Sequence, residues 1–204
     1  MSHTLNEGVS KDDTSANPGP LGLLGFGMTT IVLNLHNAGF FPLNAMIMAM
    51  GLFVGGLAQI IAGILESKKG NTFGMTAFVA YGCFWLSLVA IWVLPKTGGA
   101  AATDETGMAW YLLLWGIFTF GMFLGTFRIN RALQVVFGSL TLLFFLLSTR
   151  DFLGAAGIES GKTVGVVAGW VGLACGLSAL YAALAQVLNE VFGKSVYPLG
   201  AVKK

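Results

Sequence analysis

The side chains of this sequence that could act on a solute are amides, hydroxyls and rings, because no Asp, Glu, Lys or Arg occupies the middle of a long apolar segment. Three asparagines, Asn17, Asn71 and Asn130, stand directly before such segments, 54 and 59 residues apart. An asparagine in that place is a helix N-cap, whose oxygen takes an N–H group that the first turn leaves without a partner. Three helices starting on one side would aim their positive dipole ends at one mouth and favour anions there without fixed charge. Counting inward, Phe26 is nine residues beyond Asn17, Tyr81 ten beyond Asn71 and Leu140 ten beyond Asn130. At about 1.5 Å per residue all three lie ~14–15 Å deep, near the middle of a hydrocarbon core ~30 Å thick. Three bulky residues at helical positions are also what an ordinary core needs, but their shared depth predicts a constriction that gates by dewetting.

Around that ring a solute would meet mainly amides, hydroxyls and helix ends. Thr29, Thr30, Asn34, Asn44, Gln59, Thr76, Gln134, Ser139, Thr141 and Gln186 sit within the apolar segments or at their ends. Each can equally bond its own helix or a neighbour. Together they are compatible with a wettable path, and Tyr81 is the ring member with a hydroxyl to donate. Glu66 and Glu190 stand at the mouths, where proton coupling would have to involve them or the solute's own proton.

Other chemistries lack their residues. His3 and His36 offer no paired metal ligands, and no Ser-His or paired-carboxylate set is visible for hydrolysis. Cys83 and Cys175 fall in apolar segments, where they read as small packing residues rather than a disulfide or zinc framework. We therefore expect no enzyme, no cofactor and no metal. A net charge of +2, without a basic run, argues against a nucleic-acid partner.

The elements that position these groups follow from hydropathy. The 204 residues are 55% hydrophobic and 10% charged, which places the chain in a bilayer with lipid around it. Apolar segments at about 21–35, 43–65, 72–94, 109–127, 133–148 and 164–188 predict six transmembrane helices, since one span takes ~20 residues. The fold expected is an all-α membrane protein built as three repeated antiparallel hairpins, with Arg150 to Lys162 as the last outer loop. Residues 1–16 read as a disordered cytoplasmic tail, 17–192 as the membrane domain and 193–204 as a second cytoplasmic tail. Eight of the eleven Lys and Arg fall on the side of both termini, which predicts that side to be cytoplasmic.

Each even-numbered span carries a G-x-x-x-G pair: Gly51 with Gly55, Gly121 with Gly125, and Gly172 with Gly176. In lipid, such small surfaces allow close helix approach, so even-numbered helices are expected to pack through them, within or between protomers. Gly172, Gly176, Ala179 and Ala183 continue one small face, which could instead turn inward and leave Ala179 beside the path.

Asn17-Pro18-Gly19-Pro20-Leu21-Gly22-Leu23 resembles the N-P-A-P-L-G-L signature of the acetate uptake transporter family, with Gly19 in place of alanine. Lys68-Lys69-Gly70-Asn71-Thr72-Phe73-Gly74, Tyr81-Gly82-Cys83-Phe84-Trp85-Leu86 and Val187-Leu188-Asn189-Glu190 are similar to the same family. The resemblance implies a plasma-membrane permease for acetate, succinate and similar carboxylates, assembled as a homo-hexamer with one path per protomer. It also implies a narrow point of phenylalanine, tyrosine and leucine, which falls on Phe26, Tyr81 and Leu140. An uncharged path with an apolar waist suits a neutral solute such as ammonia or urea as well, and that is the rival reading. Channel and proton-coupled carrier both stay open.

Overall fold

The computed structural model describes residues 15–202, so most of the N-terminal tail, and Lys203 and Lys204 of the C-terminal one, lie outside the described residues. The described residues fold into six helices: α1 (Gly19–Asn37), α2 (Ala45–Lys68), α3 (Thr72–Val93), α4 (Glu105–Thr126), α5 (Arg131–Ala155) and α6 (Ser160–Phe192). Five of them, α2 to α6, are long and apolar enough to cross a membrane. The first has the length of a short span, but its four glycines, Asn34 and His36 dilute its hydropathy.

The starts of these helices are set by punctuation. Asn71 Oδ1 accepts from the Gly74 N–H at 3.0 Å, Asn130 Oδ1 from Leu133 at 2.8 Å, and Asp104 Oδ1 from Gly107 at 2.7 Å. Asn17 does the same for Gly19 at 3.0 Å, although Pro18 is the residue that precedes the helix. Hydropathy misplaces the C-terminal end of α5: Arg150 and Asp151 are in its last turns, and the connection to α6 is only residues 156–159. A paired charge can sit on a helix end as readily as in a loop, and Arg150 Nε reaches Asp151 Oδ1 at 2.6 Å.

Helix α2 is not uniform. Residues Met50–Ala58 wind with five-residue hydrogen bonding, a form found mostly as short bulges at special sites. Gly55 there leaves room for Trp85 and Thr29, and Gly56 for Leu86.

The helices close into a ring in chain order, each packed on the next and α6 returning to α1. Contact between α1 and α6 is the most extensive. The α3 and α4 backbones approach at few positions, and large rings fill the space: Tyr81 and Phe84 of α3 lie 6.1 and 5.2 Å from Trp115 of α4. The outer surface is apolar, with Phe53, Leu114, Ile117, Val135 and Trp170 all exposed, as lipid contact requires.

Within the protomer, five of the six glycines of these pairs receive atoms of odd-numbered helices. Gly51 and Gly55 receive Val89 and Trp85 of α3, and Gly176 meets Ile31 and the Gly27 carbonyl of α1. Gly172 receives Asn34 of α1, and Gly125 meets Phe73 of α3. Gly121 faces open space.

Candidate functional site

A cavity of about 410 Å³ opens at the end of the bundle where α1, α3 and α5 begin. Its mouth holds Asn17, Asn71 and Asn130 together with Glu66 and Gln186. The polar groups are bound to one another as well as to helix ends. Asn71 Nδ2 donates to Glu66 Oε2 at 2.7 Å, and Asn17 Nδ2 donates to Gln186 Oε1 at 3.2 Å. Glu66 is buried, and it is the one Asp, Glu, Lys or Arg among the residues lining the cavity.

Leu23, Phe26, Ala77, Phe78, Tyr81, Val136, Phe137 and Leu140 line the rest. Phe26, Tyr81 and Leu140 are all buried, and the rings of Phe26 and Tyr81 stand 5.9 Å apart. Nine or ten residues from three asparagines at one end bring the three side chains into one cavity. The Tyr81 hydroxyl donates to Thr119 Oγ1 at 3.0 Å, which turns it towards α4 and leaves its ring to the cavity.

One turn further along α3 and α5 is a second aromatic layer that counting from the caps did not select. Phe84 stacks on Tyr111 at 5.8 Å and meets Trp115 and Phe144 edge-on, each at 5.2 Å. Rings at helical spacing, Tyr81 with Phe84 on α3 and Tyr111 with Trp115 on α4, were the available signal for it. Beyond this layer, a shallow pocket at the opposite end of the bundle is lined by Trp92, Lys96, Glu105, Met108, Arg150 and Asp151. Two pockets with polar groups, one at each end of the bundle, are thus separated by an apolar, ring-filled middle.

The remaining path candidates divide. Gln59 lines the cavity; its Nε2 donates to the Gly55 carbonyl at 2.7 Å, and its buried Oε1 has no protein partner. Thr29 and Thr30 are buried away from the cavity, and the Thr29 hydroxyl reaches the Met50 carbonyl at 3.3 Å. Asn44 is at the other end of the bundle, where it caps α2 through the N–H groups of Met46 and Ile47. Gln134 bonds Arg131 and the Thr126 carbonyl. Neither Gln134 nor Thr76 lines the cavity. Ala179 is fully buried against the position of Gly27 on α1, so the small face of α6 packs on α1, and Ala179 does not line the cavity. Among the described residues no group of three His, Cys, Asp or Glu could hold a metal ion.

A model of the GPR1/FUN34/yaaH family matches residues 2–199. The chain belongs to that family. Within the GPR1/FUN34/yaaH proteins it is 57% identical over 185 residues to the succinate-acetate/proton symporter SatP of Escherichia coli, covering 91% of this chain and 95% of that one. The solved structure of the bacterial acetate channel SatP superposes with a TM-score of 0.87 at 55% identity, over 91% of this chain and 99% of the other. A further relative, the ammonia transport outward protein 2 of Saccharomyces cerevisiae, is 37% identical over 179 residues, covering 82% of this chain and 63% of the yeast protein. With this family, these helices and this surface, the chain is a multi-pass helical membrane protein.

Proposed function

We propose that the chain is a permease that moves acetate and other small carboxylates such as succinate across the plasma membrane, through a path in each protomer. The observation that carries this reading is the cavity itself, which begins among three helix-starting asparagines and ends at Phe26, Tyr81 and Leu140. The names of the E. coli relative and of the structural match, a succinate-acetate/proton symporter and an acetate channel, support the substrate class.

The arrangement favours proton-linked passage. A carboxylate with an ordinary pKa of about 4.3 costs ~4 kcal/mol to protonate at pH 7. Stripping the bare anion of water costs several kcal/mol after relaxation and ~20 kcal/mol in the ideal limit. Because no cation waits at the ring to repay that loss, the neutral acid is the cheaper species to cross it. Its apolar end meets Phe26 and Leu140, while the anionic form collects at the N-terminal ends of the mouth.

The reading extends to the assembly. Six spans arranged as three antiparallel hairpins, with both termini cytoplasmic, follow from the charge count and from the common end shared by α1, α3 and α5. The apolar outer surface left by one protomer suits a homo-hexamer in lipid. The yeast relative's name favours one rival, an ammonia channel. Labelled acetate flux in proteoliposomes, with and without an imposed proton gradient, tests the proposal. Gradient-stimulated acetate uptake competed by succinate supports it, and ammonia flux without acetate flux contradicts it.

A further inference from the structure

The segment after α6 is a strap that runs from the end of α6 to the start of α5, at the mouth of the cavity. Gly193, with φ 64°, turns the chain back. Asn189, in the last turn of α6, then clamps it: Oδ1 accepts from the N–H groups of Val196 and Tyr197, both at 2.8 Å, and Nδ2 donates to the Tyr197 carbonyl at 2.8 Å. The Tyr181 hydroxyl donates to the Pro198 carbonyl at 2.9 Å. Beyond it, the Leu199 and Gly200 carbonyls accept from the N–H groups of Ala132 and Arg131 at 3.0 and 2.8 Å. Those are first-turn donors of α5 that no helical carbonyl can reach. Gly200 has a φ of +69°, and a Cβ there would come within 2.6 Å of the Arg131 Cβ. Seated this way, Leu199 lines the same cavity as Asn130, Leu133, Phe26 and Tyr81.

We propose that this strap gates the mouth from which α1, α3 and α5 start, and that Leu199 is a specificity-determining residue for the carboxylates passing it. The proposal rests on the permease reading for its substrates, not for the movement of the strap. The clamp bonds are exposed, and each exposed bond has small net worth. The strap therefore opens locally while the bundle stays folded. Closed, it places an isobutyl group beside the inward path; open, it leaves the floor of the vestibule wider.

The test uses full-length protein in nanodiscs with Cys83→Ser and a reporter, Leu133→Cys, on the cavity wall. Asn189→Ala and Gly200→Ala, which unseat the strap, should speed labelling by a charged thiol reagent about fivefold or more, the effect of losing one net hydrogen bond on an opening equilibrium. Leu199→Ala keeps the backbone bonds, and in proteoliposomes it should raise flux of four- and five-carbon monocarboxylates relative to acetate severalfold. Thermal melting identifies any strap variant that unfolds, and Leu199→Ala then carries the test. Equal labelling in folded strap variants overturns the gate, and an unchanged flux ratio in Leu199→Ala overturns the role of that side chain. Absence of acetate flux in the unsubstituted protein would instead strike the permease reading, while the labelling comparison would still decide the strap.

Discussion

Tyr81 donates its hydroxyl hydrogen to Thr119 Oγ1 across 3.0 Å, and Thr119 donates in turn to the Trp115 carbonyl at 2.7 Å. This relay ties α3 to α4 where their backbones barely touch, and it fixes the face that Tyr81 presents to Phe26. The donor that sequence reasoning offered to the substrate is thereby used to orient a ring. Tyr81→Phe should cost ~1 kcal/mol of stability and keep acetate flux within about fivefold, because Thr119 retains its own acceptor. Flux measurements decide it; a near-complete loss would mean that the hydroxyl touches the solute.

Helix packing makes a second, purely structural prediction. A Cβ on Gly27 would stand 2.8 Å from the Leu180 nitrogen and 2.9 Å from the Gly176 oxygen, both backbone atoms, so α1 and α6 would have to separate. Overpacking of that kind costs about 1–3 kcal/mol, and Gly27→Ala should lower the thermal midpoint accordingly. Gly121 has nothing within 4 Å. Its alanine variant should change stability by no more than the ~1 kcal/mol gained from helix propensity.

Glu66 bears on substrate capture. Its carboxylate lines the cavity and accepts from Asn71 Nδ2, a bond that glutamine can also accept. Glu66→Gln should therefore fold normally and, by removing a negative charge from an anion's route, lower the KM for acetate about two- to tenfold. A raised KM in proteoliposomes would show that the carboxylate helps the solute enter.

Much of the fold was legible from residue order because lipid demands long apolar runs and asparagine caps are local. Asn71 and Asn130 cap the helices they precede, and counting from them reached Tyr81 and Leu140 in one cavity with Phe26. What stayed hidden depends on neighbours distant in sequence. The π-helical turn at Met50–Ala58 answers to Trp85 and Leu86 packing on Gly55 and Gly56. Ala179 looked free to face a path but has α1 against it. The strap carries no periodic apolar pattern, and Leu199 is placed by Asn189, Arg131 and Ala132, which hold the strap's backbone in position.

The central claim is that Phe26, Tyr81 and Leu140 form the waist through which the solute passes. The measurement closest to it is the flux of a four-carbon monocarboxylate relative to acetate, in proteoliposomes of the unsubstituted protein and of Phe26→Ala. Phe26 is only 6% exposed and faces Tyr81, so its removal should widen the waist and raise that ratio, even with ~3–5 kcal/mol of stability lost to the cavity it leaves. An identical ratio in folded Phe26→Ala would place the selective point elsewhere and contradict the account.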